Sequence, residues 1–230
     1  MLIVPTYNEE AAIGSALAQV PRNLVDRIIV ADGNSTDSTA LAARAAGAEV
    51  LQAGRGYGRA CWCGALAAPE DAILVFMDGD GSDRADQIER LTAPILAGTQ
   101  DFVIASRVRG VREPGSMGWH QILVGIVFGV LIWLRFGFRY TDMCAFRAIR
   151  REQLLALDMR EMTYGWNLEM QMQAVRKRLR VLEIPVPYGR RRGGSSKVSG
   201  HLVGTLRASG RLLVTFIRLA GSYSARSGPA

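Results

Sequence analysis

Five short apolar runs, "LIVP", "RIIVAD", "AEVLQ", "AILVFMD" and "DFVIASR", punctuate the first 107 residues, with stretches of helical period at 9–19, 38–46, 58–68 and 86–97 between them. Runs that are apolar throughout belong to strands buried on both faces, and parallel strands must be joined by long crossovers such as helices. The pattern therefore predicts an α/β fold, a mostly parallel Rossmann-like sheet covered by helices on both faces, with right-handed crossovers. Ligands of such sheets sit beyond the carboxyl ends of the strands. That edge is where the polar residues of this chain collect, at 6–9, 32–37 and 78–83.

After residue 107 the pattern changes. A Gly- and Arg-rich loop (107–118) leads into the apolar stretch "QILVGIVFGVLIWL", followed by a turn around Thr141 and Asp142, a helix at 167–178, a strand "RVLEIPVPY" and an Arg/Gly/Ser loop. The apolar stretch is shorter than the ~20 residues a membrane span needs, which leaves a core helix or an interfacial one. Near the end, "LVGTLRASGRLLVTFIRLAGS" has its apolar clusters interrupted by Arg207, Arg211 and Arg218. It reads as an amphipathic helix, packed on the domain or lying on a membrane. The expected organisation is one domain over 1–200, divided at 106, with a helical extension and tail at 201–230.

Charge sharpens that division. Residues 1–106 carry 7 basic and 14 acidic side chains, and residues 107–230 carry 21 and 7, so a formal +7 hides an acidic part followed by a basic one. The first can hold a cation and the second anions, as a substrate with metal-bound and free phosphates would need. Cys61, Cys63 and Cys144 are odd in number and lack zinc-site spacing, which points to reduced thiols and a cytoplasmic protein. Met1 runs straight into a strand, so no signal peptide is expected.

Chemistry concentrates in "VFMDGDGSD". Side chains alternate along an extended segment, so Asp78 and Asp80 face one side, and Gly79 between them leaves room for a ligand. Two hard oxygen ligands suit Mg2+ or Mn2+, which fill their remaining positions with water and substrate phosphate. Arg55 in "GRGYGR" stands before a helix start, in a loop that either contacts phosphate or merely turns. "GRRRGGSSK" combines Arg190, Arg191, Arg192 and Lys197 with small residues, Ser196 among them, that let a backbone fold around a phosphate, and with Arg107 it offers charge for an acceptor phosphate; a solvated surface tail is the alternative. Asp142 and Glu169 are the candidate catalytic carboxylates; the alternatives are a helix cap for Asp142 and a helix salt bridge for Glu169.

Taken in order, "VPTYNEE", "VADGNSTDST", "FMDGDGSD", "RYTDMCAFRAI", "YGWNLEMQMQAV" and "PVPYGRRRGGSSKVSG" resemble the inverting family 2 glycosyltransferases of GT-A fold, in the branch similar to dolichyl- and polyprenyl-phosphate sugar synthases. The resemblance implies transfer of a hexose from a UDP- or GDP-linked sugar to an acceptor, polyprenyl phosphate, with inversion and metal assistance. Carried over by position, Pro5, Tyr7 and Glu9 match the nucleoside-binding loop, Asp32 the base-binding aspartate, Asp78 and Asp80 the metal-bridging pair, and Asp142 the catalytic aspartate. The expected partners are a nucleotide-sugar and a lipid phosphate, with peripheral contact at the cytoplasmic face of a membrane. A soluble saccharide acceptor is the alternative within the same chemistry. A nucleotidyltransferase would open with a Gly-rich, Lys-containing loop where this chain has "VPTYNEE". A nucleic-acid-binding module would place an acidic ligand edge against a polyphosphate.

Overall fold

A computed structural model describes residues 1–193 and 202–221, with side chains omitted for 202–208. The sheet has seven strands: β1 (Leu2–Thr6), β2 (Ile28–Asp32), β3 (Glu49–Gln52), β4 (Ile73–Phe76), β5 (Phe102–Ser106), β6 (Arg147–Arg150) and β7 (Val181–Pro185), in the order β3-β2-β1-β4-β6-β5-β7. β1 pairs in parallel with β2 and β4, β2 with β3, and β5 with β7. Every residue of β1, β2 and β5 is buried. Because successive side chains point to opposite faces, both faces of the sheet must be covered there.

β6 departs from the sequence pattern. It lies antiparallel between β4 and β5 and carries Arg147 into the core. That guanidinium is buried but not orphaned, since it donates to the carbonyls of Cys144, Ala145 and Asn167. Two arginines in the four residues of β6 mask it as a strand, although its neighbours demand one.

The helices are α1 (Glu10–Ala18), α2 (Thr39–Ala45), α3 (Tyr57–Leu66), α4 (Ile88–Leu96), α5 (Trp119–Phe136), α6 (Arg151–Ala156), α7 (Trp166–Arg176) and α8 (Leu202–Gly221). α3 packs on β1 and β2, α4 on β4, β5 and β6, and α7 meets α3, α5 and α8.

At 18 residues α5 is longer than its apolar run suggests, and it is the one described helix long and apolar enough to match a membrane span. One face of it packs on the domain. Gly125, Phe128, Gly129 and Ile132 form a buried stripe at helical spacing, and a Cβ on Gly129 would stand 2.1 Å from the Tyr140 carbonyl oxygen. Leu123, Ile126, Val127, Trp133 and Leu134 face outward. α5 thus lies along the domain, one face in the core and the other bare. α8 lies beside it, through the Phe128–Phe216 ring contact and hydrogen bonds from the Arg135 guanidinium to the Ala220 carbonyl.

Candidate active site

The loops after β1 and β2 are stitched together. The Thr6 carbonyl accepts from the Gly33 N–H (2.8 Å), the Asn8 N–H donates to Ser35 Oγ (2.9 Å), and the Glu9 N–H donates to Thr39 Oγ1 (2.7 Å). Asn8 and Asn34 both take positive φ, a conformation asparagine tolerates better than most residues. Asp32, buried at the end of β2, accepts from the Ser35 N–H and hydroxyl. Beside it the Arg55 guanidinium stacks 3.7 Å over the Tyr7 ring, giving this end of the site a flat wall. Pro5 is buried within β1, in register with Ala31.

The loop after β4 brings three carboxylates together. The Asp78 N–H donates to Asp83 Oδ2 (2.9 Å), while Asp80 Oδ1 accepts from the Ser82 N–H and hydroxyl. Burial, and then the neighbouring Asp80 charge, push the Asp78 carboxyl up to about 6. Asp83, unremarked by its spacing, is buried and likewise driven upward, by burial and then by Asp78. Gly79 serves packing rather than ligand approach, because a Cβ there would lie 2.8 Å from Thr6 Cγ2. Among the described residues no group of three or more His, Cys, Asp or Glu side chains is arranged to hold a metal ion. Asp78 and Asp80 nevertheless fit a divalent cation that takes its other ligands from water and a bound diphosphate: their mutual repulsion calls for positive charge, and a guanidinium stands against Asp80. That guanidinium belongs to Arg191, Nη2 lying 3.1 Å from Asp80 Oδ2 and Nη1 at 2.8 and 2.9 Å from the two Glu9 oxygens.

Asp142 stands before β6, opposite the end of β5. Its Oδ2 accepts from the Arg107 N–H (2.9 Å) and Nε (2.8 Å), and its Oδ1 from Arg107 Nη2 (2.8 Å) and the Met143 N–H (2.7 Å). Burial alone would raise this carboxyl, but Arg107 and the hydrogen bonds outweigh it and hold it below the usual carboxylate range. The backbone that carries Asp142 is fixed by Glu183 of β7, whose carboxylate accepts from the Thr141 and Asp142 N–H groups and the Thr141 hydroxyl. Burial pushes Glu183 upward. Sequence reading took Glu183 only as part of a strand; its role depends on β7 lying beside β5.

Glu169 is placed elsewhere. It is buried in α7, where Oε2 accepts from the Arg160 and Glu161 N–H groups and Oε1 from Arg218 of α8 (2.7 Å). Its carboxylate thereby ties α7 to α8, and no hydrogen bond among the described residues joins it to Asp78, Asp80 or Asp142. Arg107 is turned to Asp142, with Tyr188 beneath its guanidinium at 5.1 Å. The Arg190 Nε donates to the Pro114 carbonyl and Arg192 Nη2 to Gln19 Oε1. Ser196 and Lys197 lie outside the described residues.

Two clefts open here. One, of about 430 Å3, is lined by Gln19, Arg84, Glu113 and Arg190 to Arg192. The other, of about 410 Å3, runs from Gly110 and Arg112 past Glu113 to Trp119 and Ile122, where it reaches the bare face of α5. Glu113 lines both, so a basic cleft beside the carboxylates adjoins an apolar surface.

Comparison with known proteins agrees with this layout. Residues 1–156 match the sequence model described as glycosyl transferase family 2. An uncharacterised glycosyltransferase of Mycobacterium tuberculosis is 37% identical over 212 residues, covering 90% of this chain and 93% of that one. An undecaprenyl-phosphate mannosyltransferase of Micrococcus luteus is 32% identical over 223 residues, 89% of each chain. Among solved structures, glucosyl-3-phosphoglycerate synthase from M. tuberculosis, in complex with Mn2+, UDP-glucose and phosphoglyceric acid, superposes with a TM-score of 0.76 at 24% identity, over 97% of this chain and 80% of that one. At that identity the likeness shows the fold, GT-A.

Proposed function

Because the chain belongs to glycosyl transferase family 2, in the branch of the polyprenyl-phosphate sugar synthases, we propose that it moves a hexose from a nucleoside-diphosphate sugar to a phosphate oxygen of a polyprenyl phosphate, with inversion. One observation carries this reading: the Asp142 carboxylate is occupied by four N–H donors and held below its ordinary range. A carboxylate so stabilised is a poor base, and an efficient general base has a pKa near the working pH. An acceptor that arrives already ionised needs no base. A phosphate arrives in that state, and an alcohol does not.

In this reading Tyr7, Arg55 and Asp32 take the nucleoside end of the donor. Asp78 and Asp80 would hold Mg2+ or Mn2+, which when bound neutralises charge on the leaving diphosphate. Asp142 and Glu183 position Arg107 so that its guanidinium draws the acceptor phosphate to the face of the sugar opposite the diphosphate. As the new bond forms between the anomeric carbon and the acceptor oxygen, the bond to the diphosphate breaks and its electron pair leaves with the diphosphate. Arg190 and Arg192 add positive charge at the mouth of the cleft.

In this reading the prenyl tail follows the second cleft onto the outward face of α5, and α8 exposes Leu213, Val214 and Ile217 as well. Such a surface suits peripheral attachment to a membrane. The names of relatives such as the undecaprenyl-phosphate mannosyltransferase support the same acceptor class.

Incubating the protein with labelled UDP- and GDP-hexoses, Mn2+ and either short-chain polyprenyl phosphate, the corresponding polyprenol or soluble sugars tests the reading. Label is expected in the lipid phosphate alone; efficient labelling of the polyprenol or a soluble sugar would refute it.

A further inference from the structure

The segment after β7 lies along the Asp78–Asp83 loop by backbone contacts of its own. The Gly189 N–H donates to the Ser82 carbonyl and the Arg192 N–H to the Asp80 carbonyl, both at 2.9 Å, and Tyr188 bridges to Asp83. This lacing delivers the Arg191 side chain, 26% exposed, between Glu9 and Asp80.

Asp80 Oδ1 is held by the Ser82 N–H and hydroxyl, so the oxygen open to a cation is Oδ2, and Oδ2 is the atom that Arg191 Nη2 meets. A cation held by Asp78 and Asp80 would therefore approach the oxygen that Arg191 already meets, and like charge sets the two against each other there. Nothing in the backbone depends on the guanidinium remaining there, because the Gly189 and Arg192 N–H groups keep the segment in place.

We propose that Arg191 is a built-in counter-ion for Glu9 and Asp80, which a divalent cation arriving with a nucleoside diphosphate displaces from Asp80, leaving the guanidinium to bind the diphosphate. The inference rests on the metal-assisted reading above. It follows from charge: the guanidinium pairs directly with Asp80 and reaches Asp78 only through space, whereas a divalent ion would serve both carboxylates directly. The diphosphate bound to that ion then presents the planar, doubly accepting oxygens that an arginine fork fits. The metal-free site is held closed against stray cations, and the same side chain becomes a positioning residue for the leaving group once the donor is in place.

Calorimetric titration tests this without reference to turnover, with Mn2+ alone and with inorganic pyrophosphate at saturating Mn2+ as base-free probes. Arg191→Gln is expected to bind Mn2+ alone about tenfold more tightly than the native protein, and pyrophosphate about tenfold more weakly, from removal of one nearby charge. Arg191→Lys, which keeps the charge without the fork, falls between on both and serves in place of the glutamine variant should that fail to fold. Shifts in opposite directions are the signature, since a merely structural role would weaken both. Unchanged or weaker Mn2+ binding in Arg191→Gln, where Asp80→Asn abolishes it, overturns the counter-ion while leaving the metal site standing. Unchanged pyrophosphate affinity overturns the transfer to the diphosphate. Mn2+ binding indifferent to Asp80→Asn overturns the metal reading itself, and the proposal with it.

Discussion

Replacing Asp142 by asparagine separates a positioning carboxylate from a general base. In the protein this carboxylate is 3% exposed and its partner Arg107 is 15% exposed, joined by three hydrogen bonds. The amide of the Asp142→Asn variant would present an NH2 group to one of those donors and leave the guanidinium without its counter-charge, at a cost of about 3–5 kcal/mol in stability. Turnover should fall by about 100-fold, because Arg107 no longer meets the acceptor phosphate in a fixed pose. Arg107→Gln should cost a similar factor, and the double variant no more than either alone, since both changes disable one unit. If Asp142 were instead a base acting independently of Arg107, the losses would multiply to about 10⁴-fold, a difference of about 2.7 kcal/mol in coupling. The assay is single-turnover transfer of labelled hexose to short-chain polyprenyl phosphate, with donor binding followed by thermal shift to confirm that each variant is folded. Multiplicative losses would refute the positioning role.

Four further outcomes follow from other parts of the molecule. Donor at about 100 times its Kd with Mn2+ should raise Tm by about 5–10 °C, and Asp80→Asn should remove most of the metal-dependent part, as read by thermal shift with and without chelator. Asp101, bonded to the Arg180 backbone and guanidinium and to Gln153, is held below the usual carboxylate range chiefly by its hydrogen bond from Arg180; its contribution is present above its unfolded pKa of about 4 and lost as pH falls through the lower folded value. Asp101→Asn should therefore lower Tm at pH 7 and flatten its decline in acid, as melting curves from pH 2 to 7 will show. Gly129→Ala should destabilise by about 1–3 kcal/mol in urea titration, because the new Cβ meets the Tyr140 carbonyl across backbone that cannot yield cheaply. Ile126→Ser with Ile217→Ser should reduce sedimentation with anionic vesicles while leaving Tm within about 2 °C, since both side chains already face outward.

Strands β1 to β5 were legible because each is an uninterrupted apolar run, and the carboxylate edge because turn residues follow those runs in phase. β6 was not, since the buried Arg147 reads as polar until the carbonyls of Cys144, Ala145 and Asn167 are in view. Asp78 and Asp80 stand out by spacing alone. The Glu183 and Arg191 contacts do not, because they join residues 41 to 182 positions apart and exist only once β7 lies beside β5 and the segment after it lies along the 78–83 loop. For Glu169 the sequence offered a catalytic carboxylate or a helix salt bridge, and its ion pair with Arg218 comes from α8, a helix far along the chain, which spacing within α7 does not reveal. Local pattern thus reached the first half of the chain, where polar residues sit directly at strand ends, and fell short in the second, where strand order and the last helix decide which charges meet.

The most direct test is the bond itself. Transfer from a donor 13C-labelled at the anomeric carbon to short-chain polyprenyl phosphate, followed by NMR of the isolated product, reports both the atom that accepted the sugar and the stereochemistry. The account predicts a product whose anomeric carbon signal is split by phosphorus, with configuration opposite to that of the donor. A product anomeric carbon without phosphorus coupling, or with the donor's configuration retained, would contradict it.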